Sequence, residues 1–319
     1  MGVVQEMIIF GAGLAGLLAA RRMAHHQPII YEKQEALPNN HSALLRFRTH
    51  DLAASIGMQF KKVNVFKGVL LDDGKTITNN PTIKEYNAYS IKSAGYAHER
   101  SIINIERATR YIAPQDFINR ISSGTEIRYL CDCKDFVTSR GTAINEDAAI
   151  ISTIPMPELM SILEYPNIPN FITKTIWTIN TFIYDCELYQ TLYVPYDYSE
   201  PYRVSITGNK MTLEFGYKPT YIDEFIEAYL KILFPEADMT YSNVSTRQQN
   251  YGKIVPIDEE ERQKFILWAT DKYNIYSLGR YATWRQILLD DVLIDINKIE
   301  HWVTQRTGYD RQLYFNKEN

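Results

Sequence analysis

Residues 7–34 read MIIFGAGLAGLLAARRMAHHQPIIYEKQ. Met7 to Phe10 is a short, wholly apolar run of the kind that forms a buried strand. Gly11, Gly13 and Gly16 follow as G-x-G-x-x-G. The first glycine permits a tight turn, the second lets the backbone approach a pyrophosphate, and the third lets a helix pack closely on the strand. Ala20 keeps that packing face small. A helix is expected to about Met23, with its first amides and its dipole directed at phosphate. Ile29 to Tyr31 forms a second strand ending at Glu32. That acid lies 21 residues after Gly11, the separation at which a carboxylate meets a ribose hydroxyl. Strand, turn, helix, strand and acid in this order predict a dinucleotide site made by Gly11, Ala12, Gly13, Leu14, Ala15, Gly16, Glu32 and Lys33. The alternative is a glycine turn with only a packing role.

The remainder of the chain indicates which dinucleotide. DAAIISTIPMPEL (147–159) resembles the returning strand of large FAD-dependent oxidoreductases, whose pattern D-x-x-I-x-T-x-P it follows at Ile151, Thr153 and Pro155 with one extra residue after Asp147. IYSLGRYATWRQILLDDVLIDINKIEHWV (275–303) reads as a strand, a Gly-Arg turn and a long helix. It resembles the C-terminal flavin segment of UDP-galactopyranose mutases at Gly279, Arg280, Thr283, Trp284, Arg285 and Asp290. The wider group includes protoporphyrinogen oxidases and amine oxidases. The resemblance implies FAD, with Thr153, Gly279, Arg280, Asp290 and Asp291 beside it and the backbone at Cys133 against the adenine. The Gly-Gly pair that follows the ribose-binding acid in mutases and amine oxidases is replaced by EKQEALPNNHSALLRFRTH, so the sugar substrate is not carried over. Compact flavoproteins of this kind also occur among bacteriophage products, and the Asn-, Ile-, Lys- and Tyr-rich usage is compatible with that origin.

The implied fold is α/β: a discontinuous Rossmann-like FAD-binding domain with an inserted antiparallel sheet-plus-helix substrate domain. FAD-binding segments are expected at 1–60, 101–160 and 251–319, a substrate-domain hairpin region at 61–100, and the main substrate domain at 161–250. Asp73-Gly74 and Gly208-Asn209 mark hairpin turns. A helix enters after Pro114, and Cys131 and Cys133 share one side of an expected strand. TYIDEFIEAYLKILFPEA (220–237) is an amphipathic helix stopped before Pro235.

The 319 residues are 45% apolar with net charge −4. That supports a sizeable core and gives no global case for a nucleic-acid or membrane partner. No apolar run is long enough to span a bilayer. No signal peptide is read at the N-terminus, and Glu6 stands where a myristoylation signal at Gly2 needs Ser or Thr. Three cysteines argue for a reducing, cytoplasmic setting rather than a disulfide framework. No cluster around them completes a metal set, and none is expected.

In a flavoenzyme the cofactor carries the redox chemistry, so the protein's task is placement and electrostatics. The loop carrying His41, Arg46, Arg48 and His50 is expected to pass the pyrophosphate or the ring, Arg46 by bidentate bonds; a solvated loop is the alternative. Lys253 is the candidate beside flavin N5, by resemblance to amine oxidases, with a surface lysine as the alternative. Tyr251, Trp284 and Arg285 are candidates for the site wall, with packing as the alternative for Trp284. Asp290 and Asp291 are read inside the final helix, one reaching flavin hydroxyls and the other solvated. Tyr184, Tyr189, Tyr193, Tyr196, Tyr198, Tyr202, Tyr217 and Tyr221 line either a pocket or a sheet core. His25 and His26 close the first helix, where positive charge is welcome. Arg46, Arg48, Lys61, Lys62 and Lys67 against Asp51 leave a local excess of positive charge that keeps a nucleic-acid partner open.

The leading expectation is an FAD-dependent oxidoreductase taking hydride from an amine or related small substrate at N5. The alternatives are a mutase-like flavoenzyme acting on a sugar nucleotide without net redox change, and an enzyme tailoring a base in phage DNA, which would have to extrude that base. Oligomeric state is left open.

Overall fold

The computed structural model describes residues 7–37, 45–95, 102, 105, 107–135, 148–197 and 200–305. In chain order its elements are β1 (Met7–Phe10), α1 (Leu14–Arg22), β2 (Ile29–Tyr31), β3 (Arg46–Phe47), α2 (Asp51–Ser55), β4 (Lys61–Leu70), β5 (Ile77–Thr78), α3 (Ile83–Ala94), β6 (Ala108–Ile112), α4 (Phe117–Ser122), β7 (Glu126–Arg128) and β8 (Ala149–Ser152). There follow α5 (Met156–Ile162), β9 (Thr173–Ile183), β10 (Leu188–Tyr193), β11 (Arg203–Gly208), β12 (Lys210–Phe215), α6 (Ile222–Leu233), β13 (Tyr241–Ile254), α7 (Glu259–Tyr273), β14 (Ile275–Ser277) and α8 (Leu289–Gln305).

Strands from distant parts of the chain make a five-stranded sheet, ordered β14-β8-β1-β2-β7, whose pairings are all parallel. A parallel sheet is covered on both faces, and β1 shows how one apolar run serves two cores. Met7 and Ile9 point to α1, α4 and α8, through Leu17, Phe117 and Ile296. Ile8 and Phe10 point to α5 and α7, through Leu159 and Phe265.

The second sheet has nine strands, with the order β13-β9-β12-β11-β10-β4-β6-β3 and β5 paired to β4. It is mixed rather than purely antiparallel, because β4 runs parallel to β10. One face carries Ile179, Leu192, Ile206 and Leu213 and is covered by Ile226, Tyr229 and Leu230 of α6. The alternate positions form a polar face. Register aligns Thr191 with Ser205, Ser205 with Thr212, and Thr212 with Asn180, and all four side chains are buried. They are satisfied by one another: Thr212 Oγ1 donates to Asn180 Oδ1 at 2.9 Å, and Thr191 and Ser205 hydroxyls lie 3.5 Å apart.

Helix α3, helix α7 and strand β13 are among the elements that the sequence reading did not place. Helix α3 has a local signal in its capping box: Thr82 accepts from Lys84 N, and Glu85 Oε2 accepts from Thr82 N at 2.7 Å. Helix α7 starts at Asp258, whose carboxylate accepts from Glu261 N, followed by three glutamates in its first turn. Strand β13 is polar on both faces and half exposed, so it carries no alternation to detect. It continues through residues 250 and 251, where its register against β9 shifts between Gln249 and Lys253.

The Glu85 carboxyl is held at about 2 by its bond with Thr82 and then by the Tyr196 hydroxyl. A depressed carboxylate stabilises the fold above its unfolded value, near 4.3, and that contribution is lost as pH falls through about 2. Glu85→Gln should therefore flatten the stability–pH curve across that acid window while leaving its shape near neutrality, as read from urea denaturation at stepped pH.

Candidate functional site

The carboxyl ends of β1, β2, β8 and β14 open into one crevice, where open parallel sheets bind ligands. Gly11 turns the chain there with φ +92°, and its amide donates to Tyr31 O at 2.9 Å. A Cβ on Gly11 would lie 2.5 Å from Thr153 Oγ1, which itself donates to Phe10 O at 2.8 Å. A Cβ on Gly16 would run into the Gly11 carbonyl oxygen, whereas one on Gly13 would project into open space. Gly13 is the N-cap of α1, and no side chain caps that terminus. The first amides of α1 thus face a cradle that only glycine leaves clear.

Glu32 closes the cradle from β2. Its carboxylate accepts from Ala12 N at 2.6 Å and from Gln34 N at 2.9 Å. Beside it lies a cavity of about 430 Å³ lined by Gly11, Glu32, Lys33, Cys133, Pro157 and Glu158, among others. Burial, and then Asp132, push the Cys133 thiol up to about 12, so it is a neutral wall and not a nucleophile. At pH 8 roughly 10⁻⁴ of it is thiolate, and reactivity follows thiolate. Iodoacetamide at that pH should leave Cys133 unmodified after hours, as read by peptide mass spectrometry of the folded protein against a urea-unfolded control.

The C-terminal segment returns to this place. Leu278 N donates to Ser152 O at 2.9 Å. Gly279 has φ +91°, and a Cβ there would come within 2.8 Å of Ala15 Cβ. Positions 11 to 16, 32, 33, 133, 153, 279 and 280 are therefore gathered at one edge of the parallel sheet. These residues fit FAD: a ribose acid, an amide cradle for the diphosphate, a walled space for the adenine, and a second glycine turn against the same helix.

No protein-family model matches the chain, and no curated protein is similar to it. Solved structures are. The fold is that of the FAD-binding, Rossmann-like flavoenzymes. A reduced UDP-galactopyranose mutase aligns with a TM-score of 0.64 and 13% identity, over 96% of this chain and 97% of that one. A geranylgeranyl bacteriochlorophyll reductase-like protein from Thermoplasma acidophilum aligns at 0.56 and 10% identity, over 97% and 81%. A flavin-dependent brominase aligns at 0.53 and 11%, over 98% and 83%. At such identities the likeness is one of fold.

Within this flavoenzyme fold several expected site residues stand elsewhere. Arg46 does not meet the cradle. Its guanidinium is buried against the second sheet, donating to Thr207 Oγ1 (2.8 Å), Thr191 Oγ1 (2.7 Å), Ile206 O (2.6 Å) and Gln190 O (3.1 Å). Burial and the nearby Arg203 lower it to about 10. Asp290 and Asp291 lie in the first turn of α8, not in its interior. The helix begins ten residues after Gly279, because Thr283 N bonds back to Gly279 O and Trp284 then takes φ +50°. Asp290 accepts from Arg48 N at 2.9 Å and Thr49 N at 3.2 Å, and Asp291 pairs with the Arg48 guanidinium. Neither acid is simply solvated, and Arg48 is held by α8.

Trp284 is 2% exposed, its indole N–H donating to Val255 O at 2.8 Å and its ring packed on Phe171. It is a core residue. Tyr251 packs beside it and donates to Glu158 Oε1 at 3.0 Å, so it supports a carboxylate of the cavity wall from behind. Lys253 pairs with Lys174 across β13 and β9, with its ammonium 5.0 Å from the centre of the Tyr202 ring. Cys131 and Cys133 are not on a strand; 131–132 are coil and 133–135 helical. Glu158 was not foreseen, although an acid in the first turn of a helix after Pro155 was a readable signal.

The remaining expectations divide similarly. Tyr202 is a core residue and Tyr184 and Tyr221 are exposed, while His41, Tyr198, Gly2 and Glu6 fall outside the described residues. The His50 ring packs edge-on to Tyr111. Of the basic set at 46–67, Arg46 is sequestered, Arg48 is paired with Asp291, and Lys61 is paired with Glu187. No helix among the described residues is long and apolar enough to cross a membrane.

Proposed function

We propose that this chain is an FAD-dependent flavoenzyme of the oxidoreductase type. The observation that carries the reading is the return of Gly279 onto Ala15 beside the Gly11–Gly16 cradle. A site closed by residues this distant in sequence is built for a ligand as long as a flavin dinucleotide. In it the α1 amides hold the diphosphate, Glu32 takes the ribose hydroxyls, and the wall at Cys133 and Glu158 shields the adenine. FAD, when bound, supplies a ring that can accept or return a hydride. The absorption spectrum of the purified protein tests this: flavin bands released by denaturation as FAD support it, and a colourless protein that takes up no FAD overturns it.

The reaction is proposed at lower resolution. Oxidation of a small amine remains one reading. A mutase-like use of a prereduced flavin, on an anionic hydroxylated substrate, is favoured by charge. The polar face of the second sheet presents Arg46 and Lys67, with Arg110 near both, while Arg203 is neutralised by Glu214, and the remaining positive field favours an anion over an ammonium group. Anaerobic bleaching by amines would decide for the oxidase. Turnover only after prereduction, without oxygen uptake, would decide for the mutase-like reading.

A further inference from the structure

We infer that His25, His26 and Glu300 form a binding site for a divalent transition-metal ion of the zinc class, tying the end of α1 to α8. No metal set was expected near Cys131 and Cys133; this one is assembled by the fold from residues 274 positions apart. His25 and His26 occupy a 3-10 turn directly after α1, closed by Gln27 in the left-handed region. That turn sets both imidazoles on one side, with ring centres 4.1 Å apart. Glu300, on α8, brings Oε1 to 3.5 Å from His25 Nε2. One donor atom from each of the three residues lies within 4.8 Å of the others. Tetrahedral ligands at metal bonds of about 2.1 Å stand roughly 3.4 Å apart. The His25–Glu300 pair is already at that spacing, and small side-chain rotations close the rest.

Two further observations favour a metal over a chance grouping. His26 Nε2 is buried without a hydrogen-bond partner among the described residues, and such a nitrogen calls for an explanation. The other oxygen of Glu300 lies 3.3 Å from Arg22 Nη2. Arg22 thereby orients the carboxylate and leaves Oε1 for the ion, as outer partners of ligating carboxylates do. Two imidazoles and one carboxylate suit Zn²⁺, Ni²⁺ or Cu²⁺ rather than Mg²⁺ or Ca²⁺, with water completing the coordination.

The test uses the untagged full-length protein and Zn²⁺ alone, titrated by dye competition and followed by thermal unfolding. One equivalent should bind, and the melting temperature should rise by roughly 3–6 °C at a hundredfold excess over Kd. His26→Ala and Glu300→Gln should each weaken binding at least tenfold, and Mg²⁺ should have no effect. In the wild-type protein Zn²⁺ should protect His25 and His26 from diethyl pyrocarbonate, read by peptide mapping, which requires no variant. Wild-type affinity in both variants, or unprotected histidines at saturating Zn²⁺, would overturn the assignment.

Discussion

Gly16→Ala should yield a protein that loses both stability and flavin, whereas Gly13→Ala should lose flavin alone. The two glycines lie three residues apart but face different things. A methyl on Gly16 collides with the Gly11 carbonyl, which is backbone and cannot rotate away. Helix α1 must then lift off β1. Overpacking of this kind costs about 1–3 kcal/mol, and a backbone clash belongs at the upper end, equivalent to a loss of about 100-fold in FAD affinity if the displacement is expressed in binding. A methyl on Gly13 meets no protein atom, and the residue sits at φ −67°, ψ 173°, which alanine adopts freely. The apoprotein should keep its stability within about 0.5 kcal/mol. The methyl would instead occupy the space through which the diphosphate approaches the helix amides, so FAD affinity should fall at least tenfold. Flavin-to-protein absorbance ratios after dialysis, with urea denaturation of the apoproteins, separate the two effects. A Gly13→Ala protein that retains flavin as the wild type does would show that nothing binds at this helix terminus.

Glu214→Ala should strongly destabilise the second sheet. Glu214 and Arg203 face each other across β12 and β11 and form a two-pronged ion pair, one arm being Arg203 Nη2 to Glu214 Oε1 at 2.7 Å. The pair lies on the polar face, close to Arg46, which donates to neutral acceptors among the described residues and feels Arg203 as a like charge. Removing the carboxylate leaves Arg203, whose side chain is 22% exposed, without its paired charge; breaking a fully buried pair costs about 3–5 kcal/mol, and this partly exposed one should cost about 2 kcal/mol or more. Replacing both residues by apolar ones, as in Arg203→Met with Glu214→Leu, should cost less than Glu214→Ala alone, because no unpaired charge remains. Urea denaturation of the two proteins gives the comparison. A loss below about 1 kcal/mol for Glu214→Ala would place the pair among ordinary surface ion pairs.

Much of the parallel sheet and of the glycine-lined edge beside α1 was legible because its signals are local. The strand run at 7–10, the glycine spacing, the small helix face and the acid at Glu32 all lie within one stretch, and each follows from steric or dipolar rules acting over a few residues. The hairpin turns at Gly74 and Gly208 and the helix α6 were legible for the same reason: a positive φ or an apolar stripe marks them. Helix α3 and helix α7 had equally local marks at Thr82–Glu85 and at Asp258–Glu261. Strand β13 had none, since it buries neither face fully. Arg46 misled because an arginine after Glu32 has the chemistry to meet phosphate, and no sequence pattern reveals that β10 and β11 will present acceptors to it first. Trp284 misled likewise: its position beside the Gly279 turn is local, but its burial depends on Phe171 and Val255.

By itself, then, the sequence determined the elements whose form depends on neighbours along the chain: the cradle of α1, the acid that ends β2 and the alternation of the strands in the second sheet. Tertiary structure alone decided which side chains meet across long separations. It set Gly279 on Ala15, aligned Thr191, Ser205, Thr212 and Asn180 in one row, gave Arg46 to the sheet, and brought Glu300 to His25 and His26. The physical reason is that backbone preferences act over a turn or two, whereas strand register and helix docking are fixed by the burial of whole faces. A polar group's partner is known only once those faces have been packed.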